Sequence, residues 1–208
     1  LKAPEQITTP AWPVHPRYGA LAGLPNSTFL DPILFRDAFL TPLEVHRAQV
    51  GVVIFEFNSL QVKSGARDFT KALDLFLGLL PDGWRFAVEV RKAELLNPRY
   101  FDCLRAHDVT HVYNAWTRMP EIRDQIAMPG SRTTDLIVAR ALLRHGRPYE
   151  DAVRAFAPYT AVQEVNEPGR AGLRELIDTA IVDDAPAFIF VNNRFEGYSP
   201  GTIAAIAE

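Results

Sequence analysis

An α/β fold built on parallel strands is predicted by three apolar runs of strand length, each closing on charged or amide residues. The runs cover residues 52–58, 86–91 and 188–194, and a helical pattern follows each of them. Near-continuous apolar sequence rich in β-branched and aromatic residues marks strands covered on both faces, as in a parallel sheet. In α/β barrels ligands collect at the carboxyl ends of such strands. That rule singles out Glu56, Asn58, Glu89, Arg91, Asn193 and Arg194.

The elements follow in order. Residues 1–30 carry Pro4, Pro10, Pro13, Pro16, Gly19, Gly23 and Pro25, which reads as an irregular arm or long loop. Trp12, Val14, Tyr18, Leu21 and Leu24 make it too apolar for a solvated tail, so it is expected to pack. Asp31 is an N-cap and Pro32 a first helical residue for a helix carrying Ile33, Leu34, Phe35, Ala38 and Phe39. A short helix over 42–49 and a strand over 52–57 come next, then a loop through Gly65. Phe69, Leu73, Phe76, Leu77 and Leu80 recur at helical spacing and predict a helix over about 67–80. Pro81-Asp82-Gly83 is a turn leading into a strand over 85–90. Beyond it the pattern predicts a helix over 95–106, a strand over 110–114, a helix near 119–127 and a strand over 135–142. Helices around 149–156 and 160–182 follow, the second region disturbed by Pro158, Pro168 and Gly169. A strand over 187–192 and a helix from near Pro200 end the chain. This makes about five β/α units with right-handed crossovers. A closed barrel needs eight, so the pattern fits either an open sheet or a barrel whose first units lie elsewhere.

Composition sets outer bounds. The chain has 208 residues, 48% of them apolar and 23% charged, which is ordinary for a globular protein and enough for a single domain over 1–208. A formal net charge of -3 argues against a general binder of nucleic acid or anionic membranes. The single cysteine, Cys103, rules out an intrachain disulfide framework and fits a reducing, cytoplasmic setting. No run reaches the roughly 18–20 apolar residues of a membrane span.

Several segments have a familiar form. Gly51–Phe57, Trp84–Arg91 and Phe190–Ala204, together with Lys2–Pro10, Asn26–Asp31 and Leu142–Tyr149, resemble the YecE-like family, domain of unknown function 72. The most specific pieces are residues 86–91 and 190–194, with Gly197 downstream. The resemblance implies a TIM-type (β/α)8 barrel, represented here by its C-terminal five or so β/α units. In the family an aromatic-rich first part precedes a strand ending in lysine. Lys2 would be that lysine, so the first two strands and most of the third would be missing. The family has no established activity, and the resemblance implies a fold rather than a reaction.

Two constellations carry the chemical expectation. Side chains alternate along a strand, so Phe55 and Phe57 should face helices while Glu56 and Asn58 face the other way. Glu89 and Arg91 should likewise oppose Phe86, Val88 and Val90. Two carboxylates facing one cavity can serve as general acid and base, and glycoside hydrolases place such pairs about 5–9.5 Å apart. The competing reading is a Glu89–Arg ion pair that neutralises a polar mouth. Arg91, Arg144, Arg147 and Arg194, with Lys2, form the second set, suited to phosphate or carboxylate through paired donors. The loops after the last two barrel strands, which carry Arg144, His145, Arg147, Asn193 and Arg194, commonly hold phosphate. His145 is the acid–base candidate among five scattered histidines. Asn58, Asn114, Trp116, Asn192 and Asn193 complete a ligand mouth, with helix capping as the alternative use of the asparagines.

No metal signature is present and no P-loop or GxGxxG occurs, so the cofactor stays unknown. The one metal reading is a divalent ion between Glu56 and Glu89. The expected function is a hydrolase acting on a small anionic ligand, phosphorylated or sugar-containing. The alternatives are a non-catalytic metabolite- or nucleic-acid-binding protein, and a structural remnant inactive by itself.

Overall fold

The computed structural model describes residues 1–58 and 66–208. The loop predicted to run to Gly65 lies, from residue 59 onward, outside the described residues. Two compact units divide the chain, Leu1–Val109 and Thr110–Glu208. No helix among the described residues is long and apolar enough to cross a membrane.

In the first unit the opening residues run beside the first strand. The terminal amine donates to the Val52 carbonyl at 2.7 Å, and Ile54 and Ala3 exchange bonds with Leu1 and Ile54 at 2.9 Å. Lys2 thereby stands opposite Ile54 in a parallel bridge. The arm is less irregular than its prolines suggest. It holds helix α1 (Glu5–Thr8) and a 3-10 stretch over Pro16–Leu21. It also packs on itself, with Trp12 5.6 Å from Tyr18 and the Asn26 amide donating to the Gln6 and Thr9 carbonyls at 2.7 Å.

Helix α2 (Pro32–Phe35) starts as its sequence dictates, with one Asp31 carboxylate oxygen accepting from the amides of Ile33 and Leu34 at 2.9 Å. The run continues through a π turn (Arg36–Leu40), α3 (Thr41–Leu43) and a 3-10 turn (Glu44–Gln49). Pro42 removes one donor from the ladder, and the pitch changes around it. Strand β1 (Val53–Phe57), α4 (Ala66–Leu77), β2 (Phe86–Val90) and α5 (Pro98–Ala106) follow. Gly83 turns the chain into β2 with φ 82°, where a Cβ would stand 2.9 Å from the Arg47 guanidinium.

The two strands are parallel, with Glu56 opposite Glu89. All residues of both are buried. The expected alternation is present. Phe55 packs 4.9 Å from Phe35 and 5.2 Å from Phe76, while Phe57 packs 5.1 Å from Phe69. Each such fully buried side chain contributes about 1.5–3 kcal/mol relative to exposure.

The second unit holds β3 (Thr110–Ala115), α6 (Ile122–Ile126), β4 (Ile137–Ala141), α7 (Tyr149–Phe156), α8 (Glu167–Val182), β5 (Ala187–Val191), α9 (Asn193–Glu196) and α10 (Ser199–Ala207). Its strands pair in parallel, β3 with β4 and β4 with β5. Tyr113, Ala139, Ala141, Leu173 and Leu176 lie in its core. Two expectations change here. The long helix starts at Glu167 rather than near 160, because Asn166 caps it through the Gly169 amide at 3.2 Å and Pro168 sits in its first turn. Proline and glycine there open the helix instead of disturbing it. Strand β5 is also not buried on both faces. Ile189 and Val191 pack on the core, but Phe190 is 41% exposed. The chain is α/β, with parallel strands and flanking helices in each unit.

Candidate functional site

Lys2, Glu56, Asn58, Glu89 and Arg91, distant in sequence, come together in the first unit. Strand register sets Glu56 beside Glu89, and Arg91, just beyond β2, folds back between them. Its Nε donates to Glu89 Oε1 at 2.9 Å and its Nη2 to Glu56 Oε1 at 3.0 Å. The Asn58 amide donates to the same Glu56 oxygen at 2.5 Å. Lys2 Nζ reaches Glu56 Oε2 at 3.3 Å.

Burial grades the members. Glu89 is fully enclosed at 0% exposure, Arg91 and Glu56 retain 8% and 9%, and Lys2 is 57% exposed. Among these contacts two cations face two carboxylates. Arg91 stands between the carboxylates and offsets the repulsion that was expected to set their roles apart. It also supplies positive charge in the place considered for a divalent ion. Among the described residues no group of three or more His, Cys, Asp or Glu forms a metal-holding cluster. Tyr100, fully buried, donates to the Val88 carbonyl at 3.3 Å. Burial, then the charges of Cys103 and Glu89, hold its phenol well above the ordinary range.

The second unit gathers Arg144, His145 and Arg147 in the loop after β4. Arg144 Nη1 and Arg147 Nη2 each donate to a different oxygen of Glu164, the latter at 2.6 Å. The Arg147 guanidinium lies 5.0 Å over the Phe156 ring, and its carbonyl accepts from the Thr117 hydroxyl at 2.5 Å. His145 Nδ1 donates to the Met119 carbonyl at 2.8 Å, which leaves Nε2 as the basic nitrogen of the neutral ring. Trp116 packs against Leu143, Ala152 and Phe156. Arg194 lies 4.6 Å over the Tyr149 ring.

The asparagines split between the two predicted uses. Asn58 belongs to the carboxylate cluster, whereas Asn193 Oδ1 accepts from the Ser199 amide at 2.8 Å at the start of α10. Asn114 is fully buried, and its backbone exchanges bonds with the Gln125 side chain at 2.7 and 3.2 Å. Cys103 is buried, and burial followed by Asp74 pushes its thiol up to about 11, so thiolate is scarce at neutral pH. His111, the second residue of β3, is buried with its ring 5.1 Å from Tyr113, and burial lowers it to about 3.

Sequence reasoning missed two carboxylates. Glu164, the acceptor for the arginine pair, lies between α7 and α8 with no local pattern to mark it. Glu196 is wholly buried and accepts from Arg170 Nε and Nη2 at 2.9 and 2.8 Å, from the Asn166 amide at 2.6 Å and from the Thr202 hydroxyl at 2.7 Å. Burial pushes its carboxyl up, but the bonds from Arg170, Asn166 and Thr202 outweigh this and hold it below the ordinary value. That residue sits inside the Phe190–Ala204 segment, where only the flanking asparagines and Arg194 carried a signal.

A protein-family profile described as "Protein of unknown function DUF72" matches residues 2–208. Among solved structures, the chain is similar to a DUF72 family protein from Thermotoga maritima, with TM-score 0.61 and 17% identity. That similarity covers 85% of this chain and 65% of the other. It is also similar to a DUF72 family protein from Enterococcus faecalis V583, with TM-score 0.58, 13% identity, and coverage of 84% and 63%. The chain thus spans just under two thirds of either protein. At these identities the likeness speaks for the fold alone. No curated protein matches the chain.

Proposed function

We propose, for a chain that belongs to the DUF72 family by its match over residues 2–208, a hydrolase acting on an anionic, phosphorylated or sugar-containing substrate. Parallel strands alternating with helices support a TIM-type barrel as its scaffold, with ligands met at strand carboxyl ends. The observation that carries the reading is the setting of Glu56. Its Oε1 is held by Arg91 and Asn58, while Oε2 lies 3.3 Å from the ammonium of Lys2, a side chain that is 57% exposed.

This asymmetry fits a general base. An arriving anionic group competes for the Lys2 ammonium, which withdraws from Oε2. Oε2 then accepts a proton from water as that water attacks the substrate, and the leaving group departs with the electron pair of its bond. Arg91 keeps the carboxylate oriented throughout. Glu89 touches no solvent and serves as a positioning residue, because it fixes Arg91.

Hydrolysis of a panel of chromogenic phosphate esters and glycosides tests the reading. Glu56→Gln is expected to lower turnover by about 10²–10⁴-fold with an unchanged circular dichroism spectrum. Unchanged turnover in the variant, or none by the wild type on any member of the panel, removes the hydrolase.

A second reading is favoured by the charge balance. With both carboxylates already opposed by cations, the cluster also suits a non-catalytic site that recognises a metabolite by its hydroxyl and anionic groups. Saturable ligand binding without turnover would select it.

A further inference from the structure

We propose that the loop after β4 holds an oxyanion site for a dianionic phosphate group, in which the chain's own Glu164 carboxylate is the resident occupant. The inference deepens the anionic-ligand reading above and rests on it, but it concerns different residues and a different readout.

Three observations carry it. Arg144 and Arg147 bind the two oxygens of one carboxylate, which is the paired-donor geometry by which guanidinium groups grip phosphate and carboxylate alike. The fork is built in advance. Gly146 donates to the Thr117 carbonyl at 2.9 Å, the Arg147 carbonyl takes the Thr117 hydroxyl, and the Arg147 guanidinium rests on Phe156. Finally, the fork has a donor to spare. Arg147 Nη1 is buried with no hydrogen-bond partner among the described residues. A buried donor without an acceptor is costly, so an additional acceptor is expected there.

Charge identifies the ligand class. Two guanidinium groups face the single negative charge of Glu164. A phosphate monoester brings about two negative charges and three acceptor oxygens, and so matches the fork better than any monocarboxylate. Displacement asks little of the backbone. Glu164 is 44% exposed, and its segment is anchored independently by the Gln163 amide on the Glu196 carbonyl at 2.8 Å. Only the glutamate side chain has to turn away.

Titration calorimetry with inorganic phosphate, and with acetate as the monoanion, tests the site in the wild type, in Glu164→Gln and in Glu164→Gln combined with Arg144→Gln. The single variant is expected to bind phosphate about tenfold more tightly than the wild type, because a competing charge a few ångströms away has gone. The second substitution, at a half-exposed arginine, is expected to erase that gain. Equal phosphate affinity in wild type and Glu164→Gln, a gain that survives loss of Arg144, or acetate bound as tightly as phosphate would each overturn the proposal. The isotherm reads binding alone. A chain that shows the gain but no turnover therefore sinks the hydrolase and keeps this site.

Discussion

Replacing Arg91 by Met probes the centre of the carboxylate cluster without changing side-chain length much. The ion pairs at 2.9 Å to Glu89 and 3.0 Å to Glu56 are lost, and the partners left behind are 0% and 9% exposed. At an effective dielectric constant near 20, one such contact is worth about 5 kcal/mol before desolvation. Desolvation of each ion costs several kcal/mol, so assembling the cluster yields little net stability. Breaking it by removing one member is a different matter, because a buried charge then stays behind without its partner, at a cost of about 3–5 kcal/mol. Urea unfolding followed by circular dichroism, extrapolated linearly to water, measures the loss. Removing the pair together, with Glu89→Met and Arg91→Met, should leave the protein more stable than Arg91→Met alone. A loss below about 1 kcal/mol for Arg91→Met, the level of exposed ion pairs, would refute the reasoning. Arg91 would then be a surface arginine that happens to lie near two glutamates.

Two further outcomes follow from buried groups in the second unit. Burial lowers His111 to about 3, below its ordinary value near 6.5, so the unfolded chain binds the extra proton between those limits. Stability should therefore rise with pH across that window, and at pH 4.5 the histidine should cost about 2.7 kcal/mol relative to neutral pH. Comparing unfolding at the two pH values in wild type and His111→Phe checks this, and an identical pH dependence would count against it. Glu196→Gln should destabilise the chain by about 3–5 kcal/mol at neutral pH, since Arg170 loses its charged partner in a buried site. Because the Glu196 carboxyl is held below the ordinary glutamate value, its contribution is present above that value and fades as pH falls. The gap between wild type and variant should close in acid, and a constant gap would show that shape rather than charge is responsible.

Much of the fold was legible because its signals are local. Asp31 and Pro32 announce the start of α2, and the spacing of Phe69, Leu73 and Phe76 announces α4. The alternation of Phe55, Glu56 and Phe57 assigns each side chain to a face before any coordinates exist. The departures arise where a local signal has two meanings. Pro168 and Gly169 can break a helix or begin one, and Asn166 decides in favour of beginning. Asn192 marks a ligand mouth or a cap, and it caps α9 through the Arg194 amide at 3.0 Å. Phe190 reads as core in any strand, but its exposure depends on what covers that face of β5, which no local pattern records.

The candidate site was legible to the same depth and for the same reason. Strand-end position picked out Glu56, Glu89 and Arg91, and periodicity correctly set them on one face. What periodicity could not supply was the pairing. A guanidinium reaches about as far as two residues along a strand, so Arg91 could have extended toward solvent or folded back. Register settles this by placing Glu56 beside Glu89, where one fork can serve both carboxylates. Pairing then decides chemistry. Two like charges alone would divide into acid and base, whereas a guanidinium held between two carboxylates offsets their mutual repulsion. The two carboxylates that sequence set side by side thus share one guanidinium, the one enclosed and the other at 9% exposure. The same logic reaches Glu164, whose meaning comes wholly from the two arginines it meets.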